Sequence, residues 1–147
     1  MKTLIHIIPT LGNGGAETVL ARLLEEFSKD GVKQIVISIE GNLNDFNHTQ
    51  IARYCAVIHA KEDFHLVKKA FKANPEATVL AWMYKGILKA HQWKSKFNTQ
   101  QNIIWNIRRS SFRPKEIYQK TSLYFFGLFS KIVKTSIIYC AYQAETM

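Results

Sequence analysis

Short apolar runs alternate along this chain with longer stretches of helical spacing, and the alternation sets the expected fold. Leu4–Ile8 is a β-branched apolar run ended by Pro9, the pattern of a buried strand. From Ala16 the apolar positions recur at helical spacing, with Ala16, Val19, Leu20, Leu23, Leu24 and Phe27 on one face, until Asp30-Gly31 supplies a stop. Gln34–Ile39 is a second β-branched run and Ala56–His59 a third, shorter one. The polar stretch Glu40–Gln50 between them, rich in Asn, Asp and Gly, reads as a loop placed to border a site.

Asp63 is suited to cap a helix with Phe64, Val67, Ala70 and Phe71 on one side and Lys68, Lys69 and Lys72 on the other, ended by Asn74-Pro75. Thr78–Trp82 is the fourth strand, and a helix over Lys85–Phe97 follows it. Asn102–Ile107 is the fifth strand, with Arg108-Arg109-Ser110-Ser111 at its C-terminal end. A longer helix is expected over Pro114–Lys134, then a sixth strand at Ser136–Tyr139. Strands alternating with helices imply one α/β domain, a doubly wound parallel sheet covered on both faces. Ligands of such sheets bind at the carboxyl ends of the strands. The turn after the first strand, Glu40, His59, Tyr84–Gly86 and Arg108–Ser111 all belong to that edge.

At this edge Leu11-Gly12-Asn13-Gly14-Gly15 forms a glycine-rich turn between strand and helix, where free backbone N–H groups suit a phosphate or another anion. It is not a P-loop, since no Gly-Lys-Ser/Thr follows, and the third glycine of a dinucleotide fingerprint is replaced by Glu17. Glu40 stands where a ribose-binding carboxylate would, which keeps a nucleotide- or NAD-binding module open as an alternative.

Gly14-Gly15-Ala16-Glu17, directly after a strand ending in Pro-Thr-Leu-Gly-Asn, resembles the opening of a GT-B glycosyltransferase of family four, a retaining, nucleotide-sugar-dependent family. The whole stretch IHIIPTLGNGGAETVLARLLEEFSKDG is similar to that family's first strand, loop and helix. IIWNIRRSS at 103–111 is similar to its fifth strand and basic loop, and the helix after WMYKG falls where the family places one. The resemblance spans the chain as an N-terminal half. It implies a Rossmann-like domain that holds the acceptor and brings its glycine turn to the donor's phosphates. The donor-binding C-terminal domain, with its spaced pair of glutamates, is expected to be absent from this chain, which alone should not turn over. Glu17 and Glu25 have the right separation but lie on one exposed helical face.

The implied reaction is sugar transfer from a nucleotide-sugar to a polysaccharide, glycolipid or lipid-linked acceptor of the cell envelope, without a metal or other cofactor. Asn13, Gly14, Gly15 and Glu17 would form the donor-phosphate and acceptor loop. Arg108, Arg109, Ser110 and Tyr84 would bind the acceptor or a phosphate, since guanidinium pairs bidentately with phosphate oxygens. Several family members carry a histidine after a middle strand. Met83-Tyr84-Lys85-Gly86 and Ile107-Arg108-Arg109-Ser110 contain none, so no catalytic residue is assigned, and His59 reads as a lone histidine at a strand end.

Charge adds a partner class. Of the net +9, residues 1–63 contribute six Lys/Arg against eight Asp/Glu, net −2, and residues 64–147 fourteen against three, net +11. The basic half faces an anionic partner or is a solvated surface. Leu123–Phe129, aromatic and flanked by basic residues, fits either a core helix or one lying in a membrane interface. A third reading follows, a non-catalytic basic module on anionic membranes. No nucleic-acid motif accompanies the charge. Cys55 and Cys140 make no disulfide framework and read as buried thiols. With no signal peptide and no spanning run, the expected location is cytoplasmic, peripheral on the inner membrane face.

Overall fold

The computed structural model describes residues 2–108, 128–129, 131–133 and 135–140. Six strands, β1 (Thr3–Ile8), β2 (Lys33–Ser38), β3 (Ala56–His59), β4 (Thr78–Trp82), β5 (Asn102–Arg108) and β6 (Ser136–Cys140), form one sheet in the order β3-β2-β1-β4-β5-β6. Every neighbouring pair is parallel. Among the described residues, helices α1 (Gly15–Lys29), α2 (His48–Ala52), α3 (Phe64–Ala73) and α4 (Met83–Phe97) connect the first five strands. This is the doubly wound, Rossmann-like α/β arrangement that the strand–helix alternation implies.

Alternation along each strand divides the core in two. Ile5, Ile7, Ile35, Ile37, Val79, Ala81, Ile103 and Trp105 turn one face of the sheet toward α3 and α4, where Val67, Phe71, Ile87, Ala90, Trp93 and Phe97 complete the layer. Ile8, Val36, Leu80 and Trp82 turn the other face toward Leu20, Ala21 and Leu24 of α1 and Ile51 of α2. Strands of a parallel sheet buried on both sides must be apolar almost throughout, as β1 and β4 are. Gly86 lets α4 lie directly on β1: a Cβ there would meet the Ile7 carbonyl oxygen at 2.6 Å.

One buried polar thread crosses the α1 side. His6, in the middle of β1, has no solvent exposure. Its Nδ1 accepts a hydrogen bond from Trp82 Nε1 at 3.4 Å, and its Nε2–H donates to Gln34 Oε1 at 3.3 Å. Gln34 Nε2 in turn donates to the Leu24 carbonyl at 2.9 Å, so β4, β1, β2 and α1 are joined through one imidazole. These partners fix the neutral Nε2–H tautomer. Burial outweighs the Gln34 hydrogen bond and lowers the His6 pKa from 6.5 to about 4.

Several boundaries differ from the sequence expectation. The loop expected over Glu40–Gln50 contains the start of α2, a helix too short to show a period. α4 begins at Met83 rather than Lys85, because Met83 takes a left-handed φ of 60° and turns the chain from strand to helix with no connecting loop. Asp63 stands at the α3 N-cap but makes no side-chain capping bond. Cys55 is partly rather than fully buried, and desolvation pushes its thiol up to about 11, which leaves it unreactive. Of the helix expected over Pro114–Lys134, residues 128–129 and 131–133 are helical, and the rest, including Leu123–Gly127, lies outside the described residues.

Candidate functional site at the carboxyl edge of the sheet

Between β1 and β4 the sheet reverses its direction of winding, and the helix leaving each strand covers the opposite face. Such a reversal opens a crevice beyond the strand ends. On one side lies the glycine turn. The β2–β3 loop clasps it: Asp45 Oδ2 accepts from the Leu11 N–H at 2.9 Å, the Asn47 N–H donates to the Leu11 carbonyl at 2.9 Å, and Asn47 Nδ2 donates to the Gly12 carbonyl at 2.5 Å. Gly14 is the N-cap of α1 in extended backbone, and Thr18 Oγ1 donates to its carbonyl. The Glu17 carboxylate folds back over Gly14 and accepts from Thr10 Oγ1 at 3.3 Å. The corner thus already holds a negative charge against the helix N-terminus, and a phosphate there must move Glu17 aside. Asn13 lies exposed in the same turn.

Across the crevice, Met83, Tyr84, Ile107 and Arg108 line a cavity of about 270 Å³ at the ends of β4 and β5. Arg108 is the last residue of β5, paired in register with Cys140, and not part of the following loop as the sequence suggested. Its guanidinium carbon lies 5.4 Å from the centre of the Trp82 ring, which fixes the cation by a cation–π contact. The Arg108 Nε is buried and has no hydrogen-bond partner among the described residues, and the same holds for Asn106 Oδ1 two residues earlier. Arg109 and Ser110 lie outside the described residues.

Glu40 closes the crevice from above β2. Its carboxylate pairs with Lys85 Nζ at 2.6 Å, from the first turn of α4. The Lys85 hydrogen bond is the main reason its carboxyl is held below the usual range. A ribose hydroxyl at Glu40 would have to displace that lysine. His59 is not alone: its Nε2 lies 3.1 Å from His48 Nδ1, with the rings 5.0 Å apart, and it is buried between β3 and α2. Sequence reasoning missed this pair because its members sit eleven positions apart across a helix that had no periodic signal.

The sequence-chosen residues thus share one edge: Asn13–Glu17 in the turn after β1 and the start of α1, Tyr84 in the first turn of α4, and Arg108 at the end of β5 over the Trp82 ring. Asp45, Asn47 and Trp82, which hold these groups in place, carried no chemical motif in the sequence. Among the described residues no cluster of three or more His, Cys, Asp or Glu could hold a metal ion, and no helix is long and apolar enough to cross a membrane. Comparison with known proteins finds no matching family model, no similar curated protein and no similar solved structure, so the functional argument rests on these residues.

Proposed function

We propose that this chain is the acceptor-side domain of a glycosyltransferase, which uses a nucleotide-sugar to extend a polysaccharide or a glycolipid. The observation that carries the proposal is Arg108, a cation pinned by Trp82 at the wall of a cavity of about 270 Å³, with a buried donor unmatched among the described residues. A buried guanidinium N–H without a partner is costly, and an anionic oxygen in the cavity would satisfy it with a charge-assisted bond. The cavity is near the lower end of small-ligand pockets, enough for one sugar or one phosphate group. The glycine turn lies at the same carboxyl edge of the sheet, and its backbone N–H groups and the Glu17 carboxylate suit a ligand's phosphates and hydroxyls. The resemblance of Gly14–Glu17 and of 103–111 to the family-four glycosyltransferases joins the two halves into one reading. In that reading Gly14 and Gly15 allow close approach to donor phosphates, while Arg108, Arg109, Ser110 and Tyr84 hold an anionic acceptor.

The test is equilibrium binding of a short-chain polyprenyl-diphosphate sugar. Arg108→Ala should weaken it by about tenfold or more, as expected for a lost charge-assisted bond. Equal binding by the variant contradicts the proposal.

A further inference from the structure

The placement of α1 on one face of the sheet and of α3 and α4 on the other turns a charge difference along the sequence into one between faces. Helix α1 carries Glu17, Glu25 and Glu26 against Arg22 and Lys29, and the last of these pairs with Glu25 and Glu26. Helices α3 and α4 pack side by side on the opposite face, locked by Phe64 and Phe71 against Trp93 and Phe97. Between them they carry seven lysines, Lys68, Lys69 and Lys72 on α3 and Lys85, Lys89, Lys94 and Lys96 on α4, and not one Asp, Glu or Arg. Among the described residues only Lys85 of the seven is in an ion pair. Large apolar side chains are set among these charges: Leu88 is 41% exposed, and Phe64 and Met83 are each 38% exposed. Lys96 lies over the Phe64 ring at 4.9 Å.

We infer that the outer face of α3 and α4 docks on an anionic lipid bilayer. Lys68, Lys69 and Lys72 of α3 and Lys85, Lys89 and Lys96 of α4, off the buried stripes of their helices, are drawn to the negative surface potential of such a membrane, each strengthening binding roughly fivefold near the surface. Their stems lie along apolar surface while the ammonium groups reach headgroups. Leu88, Phe64 and Met83 would enter the boundary between headgroups and acyl chains, as apolar residues of interfacial helices do. A nucleic-acid face is disfavoured by the same list: it has no arginine for bidentate contact with phosphate or base edges. Met83 and Lys85 open α4 at the carboxyl edge of the sheet, so docking by this face holds the Arg108 cavity close to the lipid surface.

The inference does not depend on the glycosyltransferase reading, and the two fail separately. The test is co-sedimentation of the chain with vesicles of equal parts phosphatidylcholine and phosphatidylglycerol, against pure phosphatidylcholine vesicles and a duplex DNA competitor. The chain should bind the mixed vesicles, lose binding as salt rises, and bind pure phosphatidylcholine poorly. The combined change Lys68→Glu, Lys72→Glu and Lys89→Glu should weaken binding at least tenfold, and the single surface change Lys69→Glu by a few fold. Arg22→Glu on α1, on the opposite face of the sheet, should leave binding intact. The inference is overturned if the triple variant and Lys69→Glu bind like the wild type, if the wild type ignores the mixed vesicles, or if DNA displaces it from them.

Discussion

Trp82→Ala should destabilise the chain by about 3–5 kcal/mol, the usual cost of removing a buried tryptophan ring. The ring has no exposure and sits between β4 and the Leu20, Ala21 and Leu24 side of α1. Its Nε1 supplies the hydrogen bond that His6 accepts, and its face supports the Arg108 guanidinium. Core, polar thread and cavity therefore fail together in this variant. Since folded domains are stable by only about 5–15 kcal/mol, a large part of the margin would go. Urea unfolding read by circular dichroism measures the loss as a lower midpoint at unchanged slope. Trp82→Phe separates the contributions. It keeps an aromatic face under Arg108 and most of the core volume, but leaves His6 Nδ1 without a donor, at a cost of about 1–3 kcal/mol. Ligand binding should be weaker in folded Trp82→Ala than in Trp82→Phe, and equal binding would detach the ring from the site.

The second large effect is loss of stability in mild acid. His6 titrates near 6.5 when the chain is unfolded and near 4 when folded, so between those values the unfolded state takes up the proton first. Stability contributed by the neutral imidazole is complete above pH 6.5 and is lost progressively as the pH falls toward 4. The shift corresponds to about 3 kcal/mol. His91 acts in the same direction, its pKa lowered by burial and then by Lys94. Glu40 adds to the loss only at lower pH, where its carboxylate becomes protonated and releases Lys85. The unfolding midpoint should therefore drop steeply between pH 6.5 and 4.5, and His6→Gln should flatten that slope while lowering stability at neutral pH. A wild-type midpoint constant over this interval would show that His6 is not buried as a neutral base.

Much of the fold could be read from periodicity, because both-face burial makes the strands of a parallel sheet stand out as apolar runs. Ala56–His59 and Thr78–Trp82 have the same bounds in sequence and structure. What escaped depends on contacts between distant positions. His6 sits in an apolar run and reads there as one more strand residue; only the approach of Trp82 and Gln34 makes it a buried hydrogen-bond hub. Glu40 and Lys85 each carry a charge with an obvious solvated role, and their ion pair exists because β2 and β4, the strands they follow, flank β1 on its two sides. The left-handed Met83 has no compositional cue, since a methionine at positive φ is held by its surroundings rather than preferred. The glycine turn was visible from its composition, but the Glu17 carboxylate folded over Gly14 was not.

One ligand is expected to bridge the glycine turn and the Arg108 cavity at the carboxyl edge of the sheet. Amide chemical-shift mapping of the isotope-labelled chain, titrated with a short-chain polyprenyl-diphosphate sugar, tests it most directly. Saturable shifts are expected at Gly12–Glu17 together with Met83, Tyr84, Ile107 and Arg108, with both sets needing about tenfold or more ligand to saturate in Arg108→Ala. Shifts confined to the lysine face of α3 and α4, or none at millimolar ligand, would contradict it.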